Sequence, residues 1–204
     1  MAGVVADLHF AATETSKMNL LREGIDPSII HVTGNPVIDA LRMVVDMPYD
    51  LDSGPLAGIP WEKRVILVTA HWRENFGEPL ESICAALREI AEGYAEDVHL
   101  VYPVHLNPKV QELVYRLLGD VPNITLLPPL DYLPMVQLMK RAYLVLTDSG
   151  GIQEEAPGLG KPVLMLRSAK CADDRASRGR GRRDGEAGGH GSCGHCGAHP
   201  EVVG

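Results

Sequence analysis

Short apolar runs rich in Val, Ile and Leu alternate with amphipathic stretches of helical period from about residue 4 to residue 167. This alternation is typical of parallel α/β architecture. Most runs are apolar at consecutive positions, as in strands of a sheet that helices cover on both faces. The runs predict strands at 29–34, 64–71, 98–105, 123–129, 143–149 and 162–167. The amphipathic stretches predict helices at 13–23, 36–45, 79–93, 108–118, 131–141 and 150–159.

Composition divides the chain into a body and a tail. Its 204 residues suffice for one ordinary core, and we expect one α/β domain over residues 1–167. Residues 46–61 are rich in Pro and Gly, which predicts an internal linker. Residues 168–204 contain nine Gly and five Arg but no Leu, Ile, Met, Phe, Tyr or Trp, so we expect a disordered tail.

The charge balance and the absence of long apolar runs narrow the class of protein. Nineteen basic and 27 acidic residues give a formal charge of -8, which argues against a general affinity for nucleic acid or anionic membranes. The sequence has no apolar run of about 18 residues, and its start lacks the features of a secretion signal. We therefore expect a soluble cytoplasmic protein, and a small polar substrate remains compatible with this charge.

The cysteines do not form a framework across the chain. Cys84 stands alone, and the other three lie in the tail. Four tail residues at three-residue spacings suggest a zinc site: His190, Cys193, Cys196 and His199. Four ligands within ten residues would close a very tight site with no core around it, so we predict no metal.

Polar side chains follow three of the predicted strands. The strand at 64–71 ends in His71 and continues into Arg73, and the strand at 98–105 ends in His105. Ligands of open α/β sheets bind outside the carboxyl ends of the strands, where helices begin. Arg73 can bind a phosphate or carboxylate through two hydrogen bonds, while both histidines can donate to phosphate or exchange protons near neutral pH.

The third strand leads into the segment TDSGGIQEE, residues 147–155. Ser149 is expected near the N-cap of the following helix, and Gly150 and Gly151 would let a ligand approach the first N–H groups. This predicts a phosphate or diphosphate site, although an ordinary helix cap remains an alternative. Glu155 could stabilise the helix through interaction with its dipole, or it could accept hydrogen bonds from ribose. The segment matches neither the ATP phosphate loop nor the dinucleotide-binding turn.

Five segments carry a resemblance to a known family: DLHFAATETSKMNLLREGI, HVTGNPVIDAL, LVTAHWRENFG, VYPVHLNP and TDSGGIQEEAPGLGKPVLMLR. The chain resembles the C-terminal half of bacterial non-hydrolysing UDP-N-acetylglucosamine 2-epimerases. The resemblance implies an incomplete GT-B architecture, in which two Rossmann-like domains hold the sugar nucleotide between them. It also implies interconversion of UDP-N-acetylglucosamine and UDP-N-acetylmannosamine by elimination and re-addition of UDP, no metal or nicotinamide cofactor, and homodimers.

The resemblance also assigns roles to individual residues. His71 matches a catalytic histidine of the family, and the expected substrate-binding residues are Arg73, His105, Met135, Ser149, Gly150, Gly151 and Glu155. Among these, Ser149 to Gly151 would hold the diphosphate and Glu155 the ribose hydroxyls. Met135 takes the place of a phenylalanine that packs on uracil, which a thioether can also do.

Other departures limit what the resemblance implies. Trp72 replaces a basic residue of the family, and it serves either as a stacking platform or as a packing residue. The family's N-terminal domain, with the carboxylates expected to move protons at C2, has no counterpart in the sequence. The family pattern stops after residue 167. The Gly- and Arg-rich sequence that follows is what a G+C-rich gene read out of frame would encode.

The leading hypothesis is thus a part of an epimerase that is inactive by itself. One alternative is a module that binds a UDP-sugar without turnover. Another is a related GT-B glycosyltransferase or a hydrolysing epimerase, since a shared nucleotide-binding domain does not determine the reaction.

Overall fold

The computed structural model describes residues 5–70 and 78–166. The chain divides into two compact units, Met1–Pro48 and Tyr49–Gly204. The tail from residue 168, for which the sequence predicted disorder and no metal, lies outside the described residues.

The first unit is a small β-α-β-α arrangement. Its elements are β1 (His9–Ala11), α1 (Glu14–Arg22), β2 (Ile30–Val32) and α2 (Pro36–Val45), with a short 3-10 turn at Pro27–Ile29. The two strands pair in parallel. Helix α1 begins where the Thr13 side chain accepts the backbone N–H of Ser16 at 3.1 Å, which satisfies a donor that the helix itself leaves unpaired. Strand β1 was not predicted, because three residues are too few for a pattern and pairing with β2 defines the strand.

The second unit is built on a five-stranded parallel sheet. Its elements are β3 (Arg64–Thr69), α3 (Glu78–Gly93), β4 (Val98–Pro103), α4 (Pro108–Leu118), β5 (Ile124–Leu127), α5 (Tyr132–Arg141), β6 (Leu144–Thr147), α6 (Ile152–Gly158) and β7 (Val163–Met165). The strand order is β5-β4-β3-β6-β7, and every pair is parallel. This order, with helices between successive strands, confirms the predicted Rossmann-like α/β class.

Helices cover both faces of this sheet, as the consecutive apolar residues of the strands required. Ile66 and Val68 of β3 pack in a cluster with α3 and α4, while Val65 and Leu67 pack with α5 on the other face. The amphipathic helix predicted at 79–93 is confirmed. Its apolar positions Leu80, Ile83, Cys84, Leu87 and Ile90 all belong to or pack against the first cluster.

The predicted linker at 46–61 contains the boundary between the units, which falls between Pro48 and Tyr49. The residues after the boundary are not a solvated spacer. A 3-10 turn at Gly54–Leu56 places Leu56 at 0% exposure, and Ile59 is also buried in the second cluster. The Pro- and Gly-rich composition therefore reflects tight turns packed under α5 in the second unit.

All five strands of this sheet end two residues earlier than the sequence predicted, and two of these ends bear on the site. Strand β3 ends at Thr69 and β4 at Pro103, so that His105 follows its strand instead of belonging to it. The apolar pattern continues past the last paired residue because Ala70 and Val104 are buried after the ladder has ended. The edge strand β7 is only half-buried, since its outer side has no strand partner among the described residues.

Candidate functional site

The strand order of the large sheet reverses between β3 and β6. From β3 the chain proceeds outward to β4 and β5, and then crosses to β6 on the other side. The connections after β3 and β6 therefore run in opposite directions, which opens a crevice at the carboxyl ends of these two strands. Thr69 and Thr147 end the strands and lie opposite each other in the ladder. The candidate site is at this switch point.

Two buried threonines fix the geometry of the switch point. The Thr69 hydroxyl donates to the Thr147 hydroxyl oxygen at 2.6 Å, and the backbone N–H of Ser149 donates to the same oxygen at 3.0 Å. The N–H of Asp148 donates to the carbonyl of Thr69 at 3.1 Å. The turn after β6 is therefore tied to the end of β3. Sequence reasoning missed this pair, for which the only signal was a threonine at the end of each strand.

The turn enters its helix later than predicted. The predicted helix began at residue 150, whereas helix α6 begins at Ile152. Its N-cap is Gly151, two residues after Ser149. Because Thr147 holds the Ser149 N–H, Ser149 belongs to the turn, and its carbonyl accepts from the N–H of Gln153 at 3.3 Å. Gly150 and Gly151 are exposed and have no left-handed backbone. A Cβ on Gly150 would meet nothing within 4 Å, so the glycines leave the turn open to approach.

Glu155 is a buried carboxylate beside this turn, with 8% of its surface exposed. Its Oε2 accepts a hydrogen bond from the Tyr132 hydroxyl at 3.3 Å. Its Oε1 lies 3.7 Å from where a Cβ of Gly151 would stand, and the Ser149 hydroxyl lies 4.0 Å from the same point. Burial raises the pKa of Glu155, and the bond from Tyr132 opposes this rise. The carboxylate is thus held between Tyr132 and the turn.

Tyr132 is a second residue that sequence reasoning missed. It is the first residue of α5 and is 41% exposed. Desolvation raises the pKa of its hydroxyl, and the nearby Glu155 carboxylate adds to the rise. The predicted uracil-packing residue Met135 follows one helical turn later on the same face, where it is half-buried against the second apolar cluster. This i, i+3 spacing was a signal in the sequence.

His105 lies two residues beyond the end of β4 and is half-buried. Its Nδ1 accepts the backbone N–H of Asn107 at 3.1 Å, so the neutral ring carries its proton on Nε2. Strands β4 and β6 flank β3, which separates their ends by about 10 Å, or two strand spacings. His105 therefore stands on the same edge of the sheet as the turn at Ser149.

The predicted catalytic residue His71, the predicted ligand-binding residue Arg73 and the neighbouring Trp72 lie outside the described residues. Ala70, the last described residue before them, is buried, and its carbonyl accepts from the buried Tyr102 hydroxyl at 3.3 Å. The structure thus brings Ser149, Gly151 and Glu155 together. The roles of His71 and Arg73 stay predictions.

The described part of this edge carries mainly negative charge, although Lys109 lies in the first turn of α4. Asp131 and Asp148 follow the ends of β5 and β6, and Glu154 and Glu155 stand in the first turn of α6. In residues 5–70 and 78–166 there is no group of three or more His, Cys, Asp or Glu side chains that could hold a metal ion. An anion at this edge would need the backbone N–H groups of the turn together with a cationic side chain, and the sequence offers Arg73 for that role.

A second depression lies between α3 and α4, with a cavity volume of about 480 Å³. Its lining includes Cys84 and the ion pair of Arg116 with Glu81, whose nearest atoms are 3.6 Å apart. No predicted site residue lines it. Within the described part of the chain, no helix is long and apolar enough to cross a membrane.

Comparison with known proteins gives a consistent family. The profile of the family described as UDP-N-acetylglucosamine 2-epimerase matches residues 1–185, which extends past the expected end of the resemblance at residue 167. The UDP-N-acetylglucosamine 2-epimerase of Escherichia coli K12 is 53% identical over 173 residues, covering 82% of this chain and 46% of that protein. The chain thus spans about half the length of this curated relative.

Solved structures agree with this match. The S. aureus MnaA–UDP structure is 46% identical with a TM-score of 0.73, covering 81% of this chain and 44% of that one. The UDP-GlcNAc 2-epimerase of Neisseria meningitidis bound to UDP-GlcNAc is 42% identical with a TM-score of 0.72, covering 87% of this chain and 49% of that one. Both similarities support the expected GT-B type of Rossmann-like fold.

Proposed function

Because the chain belongs to the UDP-N-acetylglucosamine 2-epimerase family, we propose that its second unit binds the UDP part of a UDP-N-acetylhexosamine. For the complete family protein we propose interconversion of UDP-N-acetylglucosamine and UDP-N-acetylmannosamine. The chain spans 46% of the E. coli relative, so the two proposals are kept apart: binding concerns this polypeptide, and turnover the longer protein.

The observation that carries the binding proposal is the open Ser149–Gly151 turn beside the buried Glu155 carboxylate, at the switch point of the sheet. The N–H groups of the exposed residues Gly150 and Gly151 suit a diphosphate, and a fixed carboxylate suits ribose hydroxyls. Relatives with known structures favour the same ligand, since the S. aureus protein was solved with UDP and the N. meningitidis protein with UDP-GlcNAc.

Each predicted residue has a distinct task in this proposal. The backbone N–H groups of Gly150 and Gly151 bind the diphosphate together with the Ser149 hydroxyl, since the Ser149 N–H already donates to Thr147. Glu155 accepts hydrogen bonds from the ribose. Met135 packs against uracil. Arg73 supplies positive charge at this mainly acidic edge, and His71 and His105 act near the sugar and its leaving diphosphate.

The proposed reaction makes the bound diphosphate a leaving group. The sugar loses the proton at C2 and UDP departs from C1, which leaves a C1–C2 double bond in a 2-acetamidoglucal. A proton then returns to C2 from the other face while UDP adds back to C1, so no net oxidation occurs. Groups that bind the departing diphosphate more strongly than the intact substrate lower the barrier of the first step.

Calorimetric titration of the 204-residue chain with UDP tests the binding proposal. We expect weak binding that weakens further with added salt, because a cationic side chain contacts a diphosphate. Arg73→Ala should reduce the affinity strongly, whereas the control Arg22→Ala, in the first unit, should leave it unchanged. Absence of binding heat even at millimolar UDP would remove the proposal.

Two further properties are proposed for the complete protein. Its substrate is a nucleotide sugar and its described residues contain no membrane-spanning helix, which fits a cytoplasmic location. We also infer a homodimer, from the family resemblance alone. Sedimentation of the full-length protein at several concentrations tests this assembly.

A further inference from the structure

Among the described residues, the Glu155 carboxylate accepts a side-chain hydrogen bond through one of its two oxygens. Oε2 accepts from the Tyr132 hydroxyl, while Oε1 faces the turn at Gly151. Tyr132 approaches from α5, a different helix from the α6 that carries Glu155. A carboxylate that is fixed through one oxygen can present the other in a defined direction, which matters for an acceptor that must meet hydroxyls of a ligand.

We propose that Tyr132 is a positioning residue, which orients the Glu155 carboxylate so that Oε1 accepts from the ribose hydroxyls of the bound nucleotide. This inference rests on the proposed function, which assigns ribose to Glu155. It predicts that the Tyr132 hydroxyl influences recognition of the ribose without contacting the nucleotide itself. Tyr132 thereby acts on specificity for ribose over deoxyribose.

The location of Tyr132 supports a role beyond packing. Its side chain is 41% exposed, so its hydroxyl could hydrogen-bond to water instead, and the protein core does not require the bond. Glu155 is the buried partner, and without the tyrosine its Oε2 would lose its hydrogen-bond donor. The hydrogen bond is therefore needed to satisfy the buried carboxylate, whereas the tyrosine hydroxyl does not depend on it.

The test compares UDP with 2′,3′-dideoxy-UDP, which lacks both ribose hydroxyls, by calorimetry on the full chain. The original protein should prefer UDP by about tenfold, since a buried acceptor left without its donor is costly. Tyr132→Phe, which removes only the hydroxyl, should reduce the preference to about threefold. Glu155→Gln should reduce it similarly, and the double variant should lose little more, because both residues act through one carboxylate.

The pH dependence of the preference for UDP distinguishes a positioning role of Tyr132 from a purely structural one. The ionised carboxylate is the better acceptor, so the preference for UDP should disappear as the pH falls through the Glu155 pKa. The Tyr132 bond holds that pKa down, so Tyr132→Phe should move the midpoint to higher pH. Loss of packing alone would leave the midpoint where it was.

The matched control is Tyr94→Phe, because Tyr94 is an exposed tyrosine outside the site. It should change neither the preference nor its midpoint. If the original chain prefers UDP and Glu155→Gln reduces the preference while Tyr132→Phe leaves it and its midpoint unchanged, the inference is wrong and the proposed function survives. If the original chain does not bind UDP, the proposed function fails first.

Discussion

Replacing Thr147 by valine tests whether the switch point depends on one buried hydroxyl. Thr147 is 0% exposed, and its oxygen accepts from both the Thr69 hydroxyl and the Ser149 N–H. Valine has nearly the same shape, so packing is preserved while both donors lose their acceptor. An unsatisfied buried donor costs about 1–3 kcal/mol, and Ser149 is only half-buried, so the free energy of unfolding should fall by about 2–4 kcal/mol.

Tryptophan fluorescence is a suitable probe, because Trp61 and Trp72 both belong to the second unit. At about 3 °C per kcal/mol for a chain of this size, the expected loss corresponds to a fall in Tm of about 6–12 °C. UDP affinity should fall as well, because the turn would lose the acceptor of the Ser149 N–H and would keep only the backbone bond from Asp148 to Thr69.

The double variant Thr69→Val with Thr147→Val provides the decisive comparison. Removing both hydroxyls eliminates the stranded Thr69 donor, so the double variant should be about 1–2 kcal/mol more stable than Thr147→Val alone. Thr69→Val by itself should cost about 1 kcal/mol, since Thr147 still accepts from Ser149. Purely additive losses, or a Thr147→Val chain as stable as the original, would refute the coupling.

Three other outcomes are expected. Burial raises the Glu155 pKa above its usual 4.5, so ionisation of this carboxyl lowers the stability of the folded protein as the pH rises through the raised value. Glu155→Gln should therefore be more stable than the original protein at pH 8 and equally stable at about pH 4. The same variant should bind UDP more weakly. A variant less stable at pH 8 would contradict this sign. The 204-residue chain should not incorporate deuterium at C2 of UDP-N-acetylglucosamine in heavy water, as followed by NMR; incorporation would mean that these residues include the proton-transfer groups. Burial, and to a smaller extent the charge of Glu81, raise the pKa of the Cys84 thiol to about 11. Iodoacetamide at pH 8 should therefore label Cys84 only after unfolding, as detected by mass spectrometry. Labelling of Cys84 in the folded protein would contradict its buried position.

Features that depend on neighbours in sequence were predictable here, whereas contacts between distant segments were not. The pattern of apolar runs predicted the five strands of the large sheet and the helices between them, because the spacing of apolar residues within each segment reflects which of its positions are buried. The three-residue strand β1 was missed, since only pairing with β2 makes it a strand. The order of strands, which creates the switch point, is likewise invisible in any single segment.

The same distinction applies to the candidate site. Ser149, Gly150 and Glu155 could be predicted because the turn and helix that carry them are contiguous. Thr69 and Thr147 are 78 residues apart, and Tyr132 and Glu155 are 23 apart, so their hydrogen bonds arise only when separate strands and helices assemble. Sequence motifs therefore indicated the exposed turn and the carboxylate beside it, but missed the residues that hydrogen-bond to them.

The cost of burying Glu155 connects these observations. Desolvation disfavours its ionised form, and a glutamine of nearly the same shape could fill the position without that cost. A neutral amide would still accept one hydrogen bond from Tyr132, so this bond does not require a charge, and the dipole of α6 favours a carboxylate in its first turn by only about 0.3–1 kcal/mol. Ribose hydroxyls are donors, and an ionised acceptor binds them more strongly than an amide does. We therefore propose that the carboxylate serves the recognition of ribose and not stability, and the opposite effects expected for Glu155→Gln on stability and on UDP affinity follow from that proposal.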